Sequence, residues 1–193
     1  MSIGTNIEVK QVQVVSFGTA ETFGTKIIHC CRVEEECNMD IPTLAKYLAK
    51  RKLTLTSAES LTSGTFQSQL AATPQASQIY PGGFITYATT AKTKLLGVPA
   101  ALIAKYGVVS PEVAKSMAQQ ARKIAGTDFA LAFTGVAGPD KLEGVMVRTV
   151  CIGLANPETT LAKTYYFPGE PESVMTQSCQ AGIDLLVQYL QKY

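Results

Sequence analysis

Hydrophobic positions along the chain follow two different spacings. Residues 129–133 form a continuous apolar run, which predicts a strand that is buried on both faces. Alternating or short apolar segments predict further strands at residues 53–56, 84–87, 145–154 and 161–167. Apolar residues three and four positions apart predict helices between these strands and at the C-terminus. Strands that alternate with helices predict an α/β fold, a three-layer α/β/α sandwich with a mixed sheet.

The N-terminal residues have a different pattern. Residues 9–17 and 25–33 are rich in β-branched side chains, and glycines separate them, which predicts a β-hairpin. We therefore divide the chain into an N-terminal β-hairpin extension, residues 1–38, and one globular domain, residues 39–193. Because the exposed edges of a two-stranded hairpin favour pairing with another chain, we expect a homo-oligomer.

Composition and charge argue against several kinds of partner. The 193 residues are 46% hydrophobic and 17% charged, with a net charge of +2, and no Lys/Arg stripe is interleaved with aromatic residues. A nucleic-acid partner is therefore not expected. No apolar run approaches the roughly 20 residues that span a bilayer, and the first residues lack the basic and apolar regions of a signal peptide. We expect a cytoplasmic protein without membrane contact.

The cysteine and histidine spacing does not predict a metal site. His29-Cys30-Cys31, followed by Cys37, lacks the spacing and the distant second pair of a tetrahedral zinc site. We expect no metal and no cofactor. His29 is the single histidine and lies outside every other motif, so a Ser-His-Asp triad is not expected either.

A dense group of small and polar residues follows the first predicted strand of the globular domain. Glu59, Ser60, Thr62, Ser63 and Gly64 lie in the turn that leads into a helix. Free backbone N–H groups and the positive end of the helix dipole suit an anion there, either a phosphate or the oxyanion of acyl transfer. The alternative interpretation is that Ser60, Thr62 and Ser63 only cap the helix.

Two more predicted strands end at the same edge of the sheet, where open α/β sheets bind ligands. Tyr87 and Lys92 flank the junction after one strand, while Gly135 and Gly138 follow another and allow a ligand to approach the backbone. Without a usable histidine, a serine nucleophile needs another base, and a lysine can serve when burial lowers its pKa. Lys92 is the natural candidate; the alternative is an exposed lysine at a helix start.

Several ordered motifs resemble the C-terminal domain of the CinA proteins, which also occurs alone as nicotinamide-nucleotide amidase. The resemblance covers about residues 41–190. The segments that carry it are Ala58-Glu59-Ser60-Leu61-Thr62-Ser63-Gly64, Gly82-Gly83-Phe84-Ile85-Thr86-Tyr87 with Lys92, Lys94-Leu95-Leu96-Gly97-Val98, Gly107-Val108-Val109-Ser110, and Thr134-Gly135-Val136-Ala137-Gly138-Pro139. The resemblance implies that residues 39–193 form a CinA C-terminal-like amidase domain.

The resemblance also implies roles for individual residues. Ser60 matches the family's nucleophile, and Tyr87 and Lys92 match the residues that assist it. The expected substrate-binding positions are Glu59, Thr62, Ser63, Gly64, Gly83, Thr134, Gly135, Ala137 and Gly138. The implied reaction is metal-independent hydrolysis of the carboxamide of nicotinamide mononucleotide to nicotinate mononucleotide and ammonia. A small-molecule nucleotide is thus the expected partner.

This chain departs from the family pattern at the end expected to bind phosphate. The family usually follows its last strand with Gly-Asp-Arg and a further arginine, whereas residues 169–175 contain no arginine. Since arginine is the usual bidentate holder of phosphate, Arg148 or Lys141 would have to take that role. Two alternatives therefore stay open: a catalytically silent binding or assembly module, and an amidase for a different amide.

Overall fold

Five strands form one mixed sheet in the computed structural model, which describes residues 39–191. The strands are β1 (Leu55–Glu59), β2 (Phe84–Ile85), β3 (Phe129–Gly135), β4 (Thr149–Ala155) and β5 (Thr160–Tyr166). Their order across the sheet is β2-β1-β3-β4-β5. β1 runs parallel to β2 and β3, while β4 is antiparallel to both β3 and β5. The predicted hairpin at residues 9–17 and 25–33 lies outside the described residues.

Seven helices accompany the sheet in the described range. They are α1 (Ile41–Arg51), α2 (Thr65–Ala71), α3 (Ala76–Ile79), α4 (Thr89–Leu96), α5 (Ala100–Tyr106), α6 (Pro111–Ala125) and α7 (Pro171–Leu190). None of the helices between residues 39 and 191 is long and apolar enough to cross a membrane.

Two hydrophobic cores lie on opposite faces of the sheet. Leu131 and Phe133 of β3 face a core that includes residues of α1, α2, α3 and α7. Ala130 and Ala132, which alternate with them along the same strand, face a second core that includes residues of α4, α5 and α6. This alternation within a continuous apolar run is what a strand covered on both faces requires. The prediction of a three-layer α/β/α sandwich with a mixed sheet is confirmed.

α6 approaches the sheet closely because small side chains face it. A Cβ placed on Gly153 of β4 would collide with the backbone oxygen of Ala114. Ala118, one turn further along α6, also lies against this position. The close contact brings the α5–α6 turn next to the end of β3, where the candidate site is found.

The predicted start of the fourth strand at residue 145 is wrong. The chain instead makes a turn in which Leu142 and Val145 form an isolated β-bridge. Glu143, Gly144 and Arg148 all adopt positive φ angles, so the backbone cannot continue an extended strand through them. β4 begins only at Thr149, and residues 136–148 form a loop that we call the β3–β4 loop.

Candidate active site

Ser60 lies directly after β1, which is the strand between β2 and β3. Its N–H donates to the carbonyl oxygen of Phe133 at 2.9 Å, and the N–H of Thr86 donates to the carbonyl oxygen of Glu59 at 2.7 Å. These bonds extend the sheet pairing beyond β1 and hold the Ser60 backbone from both sides. The residue is buried, at 8% exposed, where the C-terminal ends of three parallel strands meet.

The structure brings Ser60 and Lys92 together. Lys92 is on α4 but is fully buried, and its Nζ lies 2.9 Å from Ser60 Oγ. Nζ also donates to the carbonyl oxygens of Thr86 at 2.8 Å and Tyr87 at 3.3 Å. All three partners are uncharged oxygen atoms, so the lysine is buried without a carboxylate in hydrogen-bond contact.

Burial changes the protonation of this lysine. Loss of solvent lowers the pKa of Lys92 to about 8, and the charge of Glu143 opposes part of that change. A pKa near 8 leaves a fraction of the side chain as the neutral amine near neutral pH, which an ordinary exposed lysine does not provide. The amine can then accept a proton from a hydroxyl at hydrogen-bond distance.

Glu59 is hydrogen-bonded through its carboxylate to the backbone at the start of α2. Its buried carboxylate accepts hydrogen bonds from the N–H groups of Gly64 at 2.9 Å, Phe66 at 3.2 Å and Gln67 at 2.8 Å. The Ser57 hydroxyl also donates to it, at 3.3 Å. The sequence predicted a bound anion, either a phosphate or an oxyanion, at this helix start. In the structure the Glu59 carboxylate occupies that position. Glu59 was predicted to bind substrate, and these contacts give it the structural task of fixing the turn after Ser60.

Two N–H groups in that turn stay available. Ser63 N–H donates to Ser60 O at 3.1 Å, and Thr65 N–H donates to Thr62 O at 2.9 Å. Within residues 39–191, the N–H groups of Leu61 and Thr62 donate to no protein atom. Since they immediately follow Ser60, they are the available donors nearest in sequence to a substrate carbonyl oxygen that becomes an oxyanion when Ser60 Oγ attacks.

Tyr87 contacts Lys92 through its backbone carbonyl. Its carbonyl oxygen accepts from Lys92 Nζ, whereas its side chain is 70% exposed. The phenol makes no hydrogen bond within the described part of the chain. Its predicted catalytic role would therefore require the ring to reach the site once substrate is present.

The loop after β3 is held by the turn between α5 and α6. The buried hydroxyl of Thr134 donates to the carbonyl oxygen of Val108 at 2.8 Å. A Cβ on Gly135 would lie 2.7 Å from Thr149 O, and Gly138 has a φ of +112°. Ala137 packs against the core that contains α7. The predicted binding positions thus shape the backbone of this loop, and Thr134 already uses its hydroxyl internally.

Three more of the predicted binding positions, Ser63, Gly64 and Gly83, shape the backbone around the site. Ser63 and Gly64 adopt positive φ angles of 46° and 97° and form the turn into α2. A Cβ on Gly83 would lie 2.9 Å from Ser57 O and 2.7 Å from the side-chain oxygen of Gln67. Gly83 therefore allows the segment before β2 to pass close to β1.

Comparison with known families assigns most of the chain to one family. Residues 41–190 match the family described as the CinA C-terminal domain. The chain belongs to this family. A competence-damage inducible protein from Levilactobacillus brevis is 49% identical over 146 residues, which cover 75% of this chain and 35% of that protein. One from Streptococcus agalactiae is 53% identical over 116 residues, which cover 60% of this chain and 28% of that protein. The chain thus spans about a third of the length of these curated relatives.

Solved structures of CinA proteins share the fold. A CinA superfamily protein from Klebsiella pneumoniae superimposes with a TM-score of 0.77 at 28% identity, covering 79% of this chain and 96% of that one. A CinA superfamily protein from Escherichia coli gives a TM-score of 0.73 at 30% identity, covering 84% and 98%. This CinA domain therefore has the architecture of solved members of its family.

Three residues of the CinA domain that shape the site were not among the predicted ones. Thr86 supplies a carbonyl to Lys92, and its own buried hydroxyl has no partner among the described residues. The carbonyl oxygen of Val108 accepts a hydrogen bond from the Thr134 hydroxyl, and the N–H of Val108 donates to the carboxylate of Glu143. The contacts of Thr86 and Val108 run through the backbone, and the Glu143 contact joins positions 35 residues apart. Thr86 and Val108 lie in segments that carry the family resemblance, but neither their backbone contacts nor the contact of Glu143 can be read from side-chain pattern.

Proposed function

We propose that this CinA domain is a serine amidohydrolase that releases ammonia from the carboxamide of a pyridine nucleotide. Nicotinamide mononucleotide is the first candidate substrate, because it is the substrate that the family resemblance implies. Ser60 acts as the nucleophile and Lys92 as its general base. The observation that carries this proposal is the 2.9 Å separation of Ser60 Oγ from the buried Lys92 Nζ, whose hydrogen-bond partners in the described chain are all uncharged oxygen atoms.

The partners of Lys92 orient it for this task. A neutral amine has two N–H donors and one lone pair. The carbonyl oxygens of Thr86 and Tyr87 can only accept hydrogen bonds, so they take the two N–H groups. The lone pair is then left for the third neighbour, the hydroxyl of Ser60. Deprotonated Lys92 is therefore held in the orientation that a general base for Ser60 requires.

The reaction follows from this arrangement. Ser60 Oγ attacks the amide carbon while Lys92 takes the hydroxyl proton, and the carbonyl oxygen becomes the oxyanion of a tetrahedral intermediate. Lys92 returns the proton to the amide nitrogen, the C–N bond breaks, and ammonia leaves. A water molecule then gives a proton to the same amine and attacks the acyl-Ser60 ester. As the bond between the acyl carbon and Oγ breaks, the amine returns that proton to Ser60 Oγ, and the carboxylate product leaves. The N–H groups of Leu61 and Thr62 are the proposed oxyanion donors.

One observation favours a related amide as an alternative substrate. The segment that enters α7 carries Glu170 and Glu172 and has no arginine. Arg148 lies next to it, but its Nε donates to the carbonyl oxygen of Gly169 at 2.9 Å. Beside Arg148, a phosphate would find a guanidinium that is already partly engaged, next to a segment that carries two glutamates and no arginine. On charge grounds, such surroundings favour an amide without a phosphate.

A panel of amides tests both forms of the proposal. We expect the purified 193-residue protein to release ammonia from nicotinamide mononucleotide, nicotinamide riboside or a simpler aromatic amide, and Ser60→Ala to release none. A preference for the mononucleotide supports the first candidate substrate, and a preference for the riboside supports the alternative. Full ammonia release by Ser60→Ala would exclude Ser60 as the nucleophile.

A further inference from the structure

Glu143 is anchored although it lies on an exposed loop. Its Oε2 accepts a hydrogen bond from the N–H of Val108 at 2.9 Å and lies 3.2 Å from the position of a Cβ on Gly107. The contact joins the β3–β4 loop to the α5–α6 turn. Hydrogen bonds from a backbone N–H to a carboxylate are among the stronger ones in proteins, so this contact restrains both segments.

The Val108 peptide connects this carboxylate to the candidate active site. Its carbonyl oxygen accepts from the hydroxyl of Thr134, at the end of β3, at 2.8 Å. Its side chain is buried in the same core as Leu96 of α4, the helix that carries Lys92. The peptide is therefore held on one side by β3 and on the other by Glu143.

The backbone at Glu143 is unfavourable for a residue with a side chain. Its φ is +50°, in the left-handed region, and Gly144 follows with a φ of +76°. Such conformations cost free energy and persist where surrounding contacts require them. Here the conformation turns the chain at Leu142–Val145 and places the carboxylate on Val108.

The charge of Glu143 also acts on Lys92. Burial lowers the pKa of Lys92, and the Glu143 carboxylate raises it in opposition. Glu59 acts elsewhere: the pKa values of Tyr80 and Cys179 are raised by burial and then by the charge of Glu59.

Other charged groups on the helices around Lys92 have different surroundings. On α6, Glu112 acts on Cys151, whose pKa is raised mainly by burial. Lys94 of α4 is exposed, and Lys105 of α5 lies over the ring of Tyr106 at 4.9 Å.

We propose that Glu143 is a positioning residue for the Ser60–Lys92 pair: it holds the β3–β4 loop against the Val108 peptide, which is hydrogen-bonded to Thr134 of β3, next to the Phe133 carbonyl that holds Ser60. This inference rests on the proposed Ser60–Lys92 chemistry. Glu143 then has two separable effects: its hydrogen bond fixes the wall of the site, and its charge opposes part of the lowering of the Lys92 pKa by burial.

Two substitutions separate these effects. Glu143→Gln keeps an oxygen that can accept from the Val108 N–H but removes the charge, whereas Glu143→Ala removes both. Glu158→Gln is the matched control, because Glu158 is an exposed glutamate in the turn between β4 and β5. The lysine is observed directly by NMR of protein labelled with ¹³C at lysine Cε. Its resonance is assigned by its absence from Lys92→Met.

We expect the titration midpoint of Lys92 to fall in Glu143→Gln and Glu143→Ala, and to be unchanged in Glu158→Gln. The sign follows because a neighbouring negative charge stabilises the ammonium form. A Glu143→Gln midpoint equal to that of the wild type would overturn the electrostatic part. Glu143→Ala gives the same reading should the glutamine variant not fold.

Activity supplies the second readout. The acidic limb of the rate against pH should move to lower pH in Glu143→Gln with little change in KM, whereas Glu143→Ala should also raise KM. An unchanged KM in Glu143→Ala would overturn the role in holding the loop. Because the NMR titration needs no turnover, failure to hydrolyse any amide would contradict the proposed function without obscuring the Glu143 result.

Discussion

Glu59 accepts a hydrogen bond from the N–H of Gln67 at 2.8 Å, so the last residue of β1 fixes the first turn of α2. In Glu59→Gln, an NH2 group replaces one oxygen and faces backbone N–H donors. Leaving buried donors without acceptors costs about 1–3 kcal/mol, and we expect this loss in the free energy of unfolding. Urea unfolding measures it, with the exposed Glu158→Gln as the reference. Equal stability of the two variants would contradict the assigned role of Glu59.

Lys92 is expected to be indispensable for turnover because it must lose its proton before it can accept one. Lys92→Arg keeps the positive charge, but its guanidinium has no acceptor at any accessible pH. Lys92→Met keeps a buried unbranched chain without an amine. We expect both to abolish ammonia release, and circular dichroism with thermal melting establishes whether each is folded. Near-full activity in folded Lys92→Arg would mean that another group is the base.

The side chain of Tyr87 is expected to act on substrate binding, since only its carbonyl contacts Lys92. An exposed aromatic ring beside the site is suited to cover a pyridine ring once substrate is bound. Tyr87→Phe should keep kcat within a few-fold of the wild type, and Tyr87→Ala should raise KM more than it lowers kcat. Steady-state kinetics of the two variants decides the point. A loss of kcat of about a hundredfold in Tyr87→Phe would instead indicate that the phenol relays a proton.

Arg148 is the candidate contact for a substrate phosphate. If it holds the phosphate, Arg148→Ala should weaken nicotinamide mononucleotide by about 1.5–3 kcal/mol, or roughly one to two decades in affinity. Nicotinamide riboside should be almost unaffected. Calorimetric titration of both ligands measures the difference, and Lys141→Ala provides the comparison for the second candidate. Equal weakening of both ligands would show that Arg148 acts only through Gly169.

The layers of the fold could be predicted because local pattern determines them. The apolar run at residues 129–133 lies within β3, and the spacing after Asp40 corresponds to α1. The start of β4 could not be predicted, because the turn at Leu142–Val145 depends on positive φ angles in residues other than glycine. Sequence preference alone gives little reason to expect them at Glu143 or Arg148.

Some features of the candidate site could also be predicted from the sequence, and others could not. Ser60 and Lys92 could be proposed because strand ends in an α/β sheet meet at one edge and because no usable histidine was present. The hydrogen bonds from the start of α2 to the Glu59 carboxylate could not be predicted. They form only when the carboxylate is buried beside that helix in the folded protein. Contacts between distant segments, such as Glu143 with Val108, arise only when the tertiary structure brings the backbone into place.

Whether neutral Lys92 activates Ser60 can be measured through the pH dependence of Ser60 labelling. A fluorophosphonate reacts with an activated serine without requiring any particular substrate, and peptide mass mapping locates the adduct. We predict a single adduct on Ser60 whose rate of formation rises with pH through a midpoint near the pKa of about 8 given by burial of Lys92. We also predict that folded Lys92→Met is not labelled. Labelling at the same rate in Lys92→Met, or a rate in the wild type that does not change with pH, would show that neutral Lys92 does not activate Ser60.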